Sequence, residues 1–385
     1  MALQCPGCGR QYDVTLFEFG RTVRCHCGRT IGLGGGHQLE TVHPPEKGAS
    51  KMNAAVIHGP GDLRIEEVPR PTCGHDEVLL RVKRACICNA CEIGIYRGTT
   101  PHILKFAGGY PHIMGHECCG EIIEVGRNAG TYKVGQRIGY WCKMNGAFAE
   151  YNAVDIHQAI AVLDDRVSDE AGAILELAGG GTMRAIDRAG IRPGEIVAVL
   201  GLGPAGLCLI QHARNVGAGA VIGIELLENR RQKALELGAD QVFDPTGRSV
   251  AETAEIVLSQ FGRVDVVFDA VGEDKSPDQS VTTLGILLLP KGMGGRYVMF
   301  GHPFQPRPVP LQEISFRGIA LLGFSQSRER TTELIRFAAR QVAEGCLNLE
   351  ALVTHRLPLG SVEEGIQLVE EHPNEAIKVI LEIGD

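Results

Sequence analysis

The chain has 385 residues, of which 44% are hydrophobic and 22% charged, with 50 glycines and a formal net charge of -8. That length can bury more than one core, and the mild acidity argues against nucleic acid as a main partner. No run approaches the roughly eighteen apolar residues of a membrane span. The start Met1-Ala2-Leu3-Gln4-Cys5 lacks the charged and apolar regions of a secretory leader, so a cytoplasmic protein is expected.

Residues 1–32 carry Cys5-Pro6-Gly7-Cys8-Gly9 and Cys25-His26-Cys27-Gly28. Glycine after each pair lets the backbone turn tightly around the sulfurs, and four thiolates close a tetrahedral zinc shell. Cys5, Cys8, Cys25 and Cys27 are therefore expected to hold a structural zinc in a ribbon-like module. So short a piece has little core, and the metal would supply much of its folding free energy. Its role is read as a stabilising cap or as a docking module for a partner. Of the 13 cysteines, four fall to this site, one to a second metal site, and the other eight are read as buried thiols. Residues 33–51, with Gly34-Gly35-Gly36 and Pro44-Pro45, have linker composition.

Residues 52–175 alternate apolar and polar in short runs, such as Glu77-Val78-Leu79-Leu80-Arg81-Val82 and Gly120-Glu121-Ile122-Ile123-Glu124-Val125. Glycine and proline turns separate them, as in a barrel-like antiparallel domain. Within this stretch lie Cys86-Ile87-Cys88 and Gly115-His116-Glu117. A catalytic zinc takes three protein ligands from thiolate, imidazole and carboxylate and keeps a fourth position open. Cys88 and His116 can give two, and the third is expected from a carboxylate or thiol further along, where Glu176 is the best placed candidate.

Residues 176–322 change character. A buried strand, Glu195-Ile196-Val197-Ala198-Val199-Leu200, runs into Gly201-Leu202-Gly203-Pro204-Ala205-Gly206; a helix over 207–216 and a strand ending at Glu225 follow. Glycine-rich turns of this kind admit a pyrophosphate to a helix N-terminus, which gives Gly201, Gly203, Pro204, Ala205 and Gly206 a cofactor-binding role. Glu225, ending the next strand, would bind the adenosine ribose hydroxyls and repel a 2′-phosphate, favouring NAD over NADP. Arg230 and Arg231 keep NADP open. A second βαβ half through residues 264–269 and 295–301 completes a doubly wound sheet, and residues 323–385 read as helix and then strands returning to the first domain.

The set Val82-Lys83-Arg84-Ala85-Cys86-Ile87-Cys88, Gly115-His116-Glu117 with Gly120 and Gly126, Val134-Gly135-Gln136-Arg137-Ile138, Gly146-Ala147-Phe148-Ala149-Glu150-Tyr151, the fingerprint at Gly201, and Thr354-His355-Arg356-Leu357-Pro358-Leu359 spans most of residues 52–383. Over that length the chain resembles the zinc-dependent medium-chain dehydrogenases/reductases, relatives of alcohol, sorbitol and threonine dehydrogenases. The resemblance implies an α/β protein, a GroES-like β-barrel catalytic domain wrapped around a Rossmann domain with the active site in the cleft between them. It implies Cys88, His116 and Glu176 as zinc ligands, Glu117 as an exchangeable ligand or orienting carboxylate, and Lys378 at the cofactor pyrophosphate, where the alternative is a solvated lysine on an edge strand. It also implies a homodimer or homotetramer and a small alcohol or carbonyl substrate.

The chain departs from the pattern in three places. The lobe of four cysteines that usually holds a structural zinc is expected to be missing, since its interval contains only Cys142. Two residues after Cys88, where a Ser or Thr hydroxyl normally relays the alcohol proton, stands Ala90. The next residue, normally the Asp that braces the zinc histidine, is Cys91. Asn89, Tyr110 and Trp141 are candidate pocket residues. The leading expectation is NAD-dependent oxidation of a secondary alcohol or polyol, or the reverse. Reduction of a C=N or conjugated C=C bond is the alternative, and a thiol-rich metal or redox sensor built on Cys86, Cys88, Cys91, Cys118 and Cys119 is a third reading.

Overall fold

The computed structural model describes residues 2–4, 11–13, 22–24, 30–32, 50–100, 109–141, 146–272, 280–292, 294–301, 307–323 and 328–384. Ahead of the main body, β1 (Ala2–Gln4) pairs antiparallel with β2 (Gln11–Asp13), and β3 (Thr22–Arg24) with β4 (Thr30–Gly32). Each ladder brackets one of the two cysteine pairs. Cys5, Cys8, Cys25 and Cys27 themselves lie outside the described residues, as does Cys142.

By contacts the chain divides into two units: residues 1–163, 356–367 and 379–385 form the first, and 164–355 with 368–378 the second. The first division falls between Leu163 and Asp164, whereas the change of sequence pattern points to 175/176.

In the first unit β5 (Lys51–Gly59), β6 (Asp62–Pro69), β7 (Glu77–Cys86), the short helix α1 (Cys91–Arg97), β8 (His112–Ile113), β9 (Glu117–Val125), β10 (Arg137–Trp141), β11 (Tyr151–Asp155) and β12 (Ala159–Val162) follow in order. One sheet runs β12-β10-β9-β7-β20-β19, with β19 (Val353–Pro358) and β20 (Lys378–Glu382) from the end of the chain and β11 also on β7; a second runs β6-β5-β8. Central β7 has a mostly buried face because it is paired on β9, β20 and β11, and Val78, Leu80 and Val82 are fully buried. Gly126 has no substitute: a Cβ there would lie 2.1 Å from the Gly74 carbonyl oxygen, well inside contact distance.

In the second unit α2 (Asp169–Leu175) starts at Ser168, whose hydroxyl accepts from the Ala171 N–H and satisfies one of the orphan donors of the first turn. It runs into a π-helical turn (Glu176–Thr182) and α3 (Met183–Ala189). Within this turn Gly179 serves packing. A Cβ on Gly179 would lie 2.3 Å from Ile335 Cα in α9 (Arg328–Ala343).

The strands β13 (Ile196–Leu200), β14 (Ala220–Ile224), β15 (Gln241–Phe243), β16 (Val266–Asp269), β17 (Arg296–Met299) and β18 (Ala320–Leu322) form one sheet in the order β15-β14-β13-β16-β17-β18, and every pairing is parallel. This is the doubly wound order of dinucleotide-binding sheets. Between the strands run α4 (Pro204–Asn215), α5 (Glu228–Glu236), α6 (Val250–Phe261), α7 (Val281–Leu288) and α8 (Leu311–Arg317), with α10 (Val362–Glu371) near the end of the chain. Leu200, Ile222, Val267, Leu284 and Tyr297 pack in the core of the sheet, and α6 carries a complete capping box between Ser249 and Glu252.

His212 of α4 locks the π-helical turn. Its Nε2–H donates to the Ala178 carbonyl over 3.0 Å, and Thr182 Oγ1 donates to the same oxygen. Burial is the main reason that the imidazole pKa falls to about 4, so the folded protein holds it neutral while the unfolded chain protonates it near pH 6.5. The unfolded state then binds the extra proton between those values, and stability falls as pH falls through that window. At about 1.4 kcal/mol for each pH unit between the two values, the loss is on the order of 3 kcal/mol. His212→Gln, which keeps a donor for Ala178, is expected to flatten this part of the acid limb. Denaturant unfolding of both proteins at pH 6.5 and 4.5 checks it; equal losses would contradict the assignment.

Candidate active site

The metal-ligating candidates of the first unit are placed by strand register. In the β7–β9 ladder Cys86 lies opposite Glu117, so Cys88, two residues past the end of β7, and His116, just before β9, leave the same edge. The Ile87 N–H donates to the Val379 carbonyl of β20 and fixes the chain between Cys86 and Cys88. Gly115 holds φ at +95°, and a Cβ there would lie 2.3 Å from Phe148 Cδ1. Only glycine brings His116 into place without displacing that ring.

Potential ligand atoms of Cys88, Cys91 and His116 all lie within 4.8 Å of one another. His116 is buried, and its Nδ1 bonds Glu92 Oε1 at 2.7 Å. Glu92 is fully buried, and its Oε2 accepts from the Cys88 N–H over 3.1 Å. One carboxylate therefore orients both the histidine ring and the cysteine backbone. This is the brace whose usual position is taken by Cys91, moved one residue along. Sequence reasoning missed it; the available signal was an acid four residues after Cys88 in the first turn of a helix.

On the other side of the ring Glu117, buried, has Oε1 3.9 Å from His116 Nε2. Burial disfavours the charged imidazole, but the Glu92 carboxylate and hydrogen bonds to Cys88 and Glu92 outweigh it and raise the His116 pKa well above its ordinary value. A metal ion at Nε2 would take the place of that proton. Thiol, imidazole and buried carboxylates on one strand edge form a donor set that suits zinc. Removing the brace loosens such a site: Glu92→Gln is expected to weaken zinc binding about 10- to 100-fold. Zinc titration against a competing chelator measures it.

The neighbouring thiols do something else. Burial pushes the Cys118 pKa up to about 12, and its S–H donates to Tyr140 Oη over 2.9 Å, while Cys86 and Cys119 are fully buried. Inert buried thiols of this kind give no support to the sensor reading. Tyr110 Oη donates to the Ile95 carbonyl of α1 over 2.8 Å, which makes it a brace for that helix. Asn89 is half-buried, and Trp141 ends β10.

In the second unit Glu176 is buried and heads the π-helical turn. The fingerprint sits between β13 and α4, as its spacing predicts. Gly201 has φ of +83°, and a Cβ on Gly206 would lie 2.0 Å from the Gly201 carbonyl oxygen, so both positions exclude a side chain for reasons internal to the turn. Gly203 differs, because the nearest atom to a Cβ there is Arg230 Nη1 at 3.8 Å. That open cradle leads α4, with Pro204 at its first position, and fits an anion at a helix N-terminus. Ala205 follows in the first turn.

Glu225, buried just past β14, accepts from the Leu202 N–H over 2.7 Å and the Leu227 N–H over 3.1 Å, which ties the acid to the fingerprint turn. Arg231 donates to the Glu225 and Leu226 carbonyls and so serves the backbone. Arg307, not singled out in the sequence, pairs with fully buried Asp269 at 2.9 Å and donates to the Val271 and Gly272 carbonyls; it clamps the loop beside the fingerprint. Lys378 is buried, with 1% exposure, and opens β20 between β7 and β19. The alternative of a solvated lysine on an edge strand is therefore incorrect, because the side chain is buried and β20 lies inside the sheet, flanked by β7 and β19.

Comparison with known proteins agrees with this geometry. Residues 74–164 match the family model of the alcohol dehydrogenase GroES-like domain, and residues 204–340 that of the zinc-binding dehydrogenases. The chain is similar to sorbitol dehydrogenase of Homo sapiens, 29% identical over 352 residues that make up 83% of this chain and 93% of the relative. It is equally similar to (R,R)-butanediol dehydrogenase of Bacillus subtilis, 29% identical over 350 residues, 82% of this chain and 95% of the relative. The crystal structure of 2R,3R-butanediol dehydrogenase from Bacillus subtilis superposes with a TM-score of 0.73 at 27% identity, covering 86% of this chain and 99% of that one.

Proposed function

Since this chain belongs to the zinc-dependent medium-chain dehydrogenase/reductase family, we propose that it is an oxidoreductase moving hydride between NAD(H) and a secondary alcohol or polyol, or the matching carbonyl. The observation that carries the reading is the set at one strand edge formed by half-buried Cys88 with buried His116 and Glu92, the carboxylate bonding both. The names of the relatives, sorbitol and butanediol dehydrogenases, support the substrate class and lend nothing to an imine or enone reductase.

Zinc, when bound, supplies Lewis acidity toward an alcohol or carbonyl oxygen. Cys88 and His116 would hold it, with Glu176 carried from the resemblance as third ligand. Glu92 fixes the tautomer and direction of His116, and Glu117 lies beside the ring as an exchangeable or orienting carboxylate. The fingerprint Gly201, Gly203, Pro204, Ala205 and Gly206 would receive the cofactor pyrophosphate, with Arg230 beside Gly203 and Lys378 as a further cation. Glu225 supports NAD over NADP, because a carboxylate there accepts from the ribose hydroxyls and repels a 2′-phosphate. With Ala90 in place of a hydroxyl, the alcohol proton leaves through water or another side chain.

Around this chemistry, Cys5, Cys8, Cys25 and Cys27 are proposed to hold a second, structural zinc between the paired strands β1–β2 and β3–β4, as a cap or docking module. A homodimer or homotetramer is supported by the sheet-edge strand β18 with half-exposed Leu321 and by Phe316 and Leu311 exposed on α8. None of the eight described cysteines is in a disulfide, which supports a reducing cytoplasm. Among the described residues no helix is long and apolar enough to cross a membrane.

The test is NADH formation from a panel of sorbitol, 2,3-butanediol and other secondary and primary alcohols, with NAD and NADP compared. Turnover of secondary alcohols or polyols with NAD, lost on chelation and restored by zinc, is expected. Turnover of an imine or enone with no alcohol oxidised would overturn the reading.

A further inference from the structure

We infer that Cys91 is itself a zinc ligand, so that the first unit alone supplies a Cys-Cys-His set; this deepens the proposed function and rests on it. Three observations converge. Potential ligand atoms of Cys88, Cys91 and His116 all lie within 4.8 Å of one another, near the roughly 3.8 Å edge of a zinc tetrahedron with 2.3 Å bonds to sulfur. Cys88-Asn89-Ala90-Cys91 has the two-residue spacing by which one turn presents two thiolates to one ion.

The third observation is what Glu92 does. By bonding both His116 Nδ1 and the Cys88 N–H, it closes the segment 88–92 on itself and performs the bracing task, which leaves position 91 available for a ligand. The helix carrying Cys91 is anchored independently. Tyr110 Oη donates to the Ile95 carbonyl, Tyr96 Oη to Glu363, and Gly94 packs so tightly that a Cβ would lie 2.3 Å from Thr100 Cγ2. Two thiolates and an imidazole make a complete three-ligand set with one position open. On this inference Cys91 takes the third ligand place that the proposed function gives to Glu176.

The experiment compares the full chain with Cys91→Ser, Glu176→Gln and Cys88→Ser, reading zinc per chain by elemental analysis after dialysis against a competing chelator. Far-ultraviolet circular dichroism and NADH binding monitor the fold. Cys91→Ser and Cys88→Ser are each expected to lose one zinc equivalent while Glu176→Gln keeps it. Full retention of zinc by Cys91→Ser, with loss in Cys88→Ser, would overturn the inference and leave the proposed function standing. If Cys88→Ser also keeps all its zinc, the proposed function itself falls.

A second measurement needs no variant. Unmutated protein reloaded with ¹¹³Cd²⁺ is expected to show a resonance for a site with two thiolates, apart from any four-thiolate signal of the N-terminal cysteines. A one-thiolate shift there would overturn the inference even if Cys91→Ser fails to fold.

Discussion

His116→Ala is expected to remove nearly all alcohol oxidation while NADH binding is retained. The imidazole meets Glu92 on one nitrogen and faces Glu117 with the other; without it the proposed metal would lose a ligand and Glu92 would keep only its bond from the Cys88 N–H among those described. Lewis-acid stabilisation is worth several kcal/mol, and at about 1.4 kcal/mol per tenfold the fall in kcat/KM is on the order of 10³-fold. Two buried carboxylates left without the histidine also cost the fold about 3 kcal/mol, so the melting temperature should drop. Steady-state kinetics alongside NADH fluorescence titration distinguishes this from unfolding, because the coenzyme fingerprint is built in the second unit. Activity within tenfold of the unmutated protein would refute the role given to His116.

Gly203→Val carries the second large effect, and it should be the mirror image. Around Gly203 the nearest atom to an added Cβ is Arg230 Nη1 at 3.8 Å, so the protein without coenzyme accommodates a side chain and its melting temperature should hardly move. The branched side chain would fill the space proposed for the pyrophosphate at the start of α4. Coenzyme affinity is expected to fall on the order of 100-fold, about 2.7 kcal/mol. Gly206→Ala gives the contrast, since its Cβ would lie 2.0 Å from the Gly201 carbonyl oxygen. There the turn itself must open, at a cost of about 1–3 kcal/mol or more in stability. Calorimetry and NADH titration on both variants separate the two kinds of glycine within one motif.

Much of the fold and part of the site are legible in the amino-acid sequence. The apolar alternation around Val78, Leu80 and Val82 and the fingerprint at Gly201 depend on local periodicity and on glycine's backbone freedom, which a sequence displays directly. Cys88 and His116 are legible because their residue types and the surrounding glycines narrow the chemistry. Glu92 is not: an acid in the first turn of a short helix has many ordinary reasons to be there, and its bond to a histidine 24 residues away depends on how β7 and β9 align. The place of Lys378 in an interior strand is not legible either, because β20 pairs with β7, a strand some three hundred residues away. Nor is the need for Gly179, because the close approach of α9 at Ile335 that it permits comes from far along the chain. Arg307 is invisible for the same reason, since its partners Asp269, Val271 and Gly272 belong to another segment.

The proposed chemistry depends on a metal held at the edge where β7 ends and β9 begins. The most direct test is zinc per chain in gently purified full-length protein, measured beside His116→Ala. The unmutated protein is expected to carry one zinc equivalent more than the variant. Equal zinc in the two proteins, with both folded and binding NADH, would contradict the proposal.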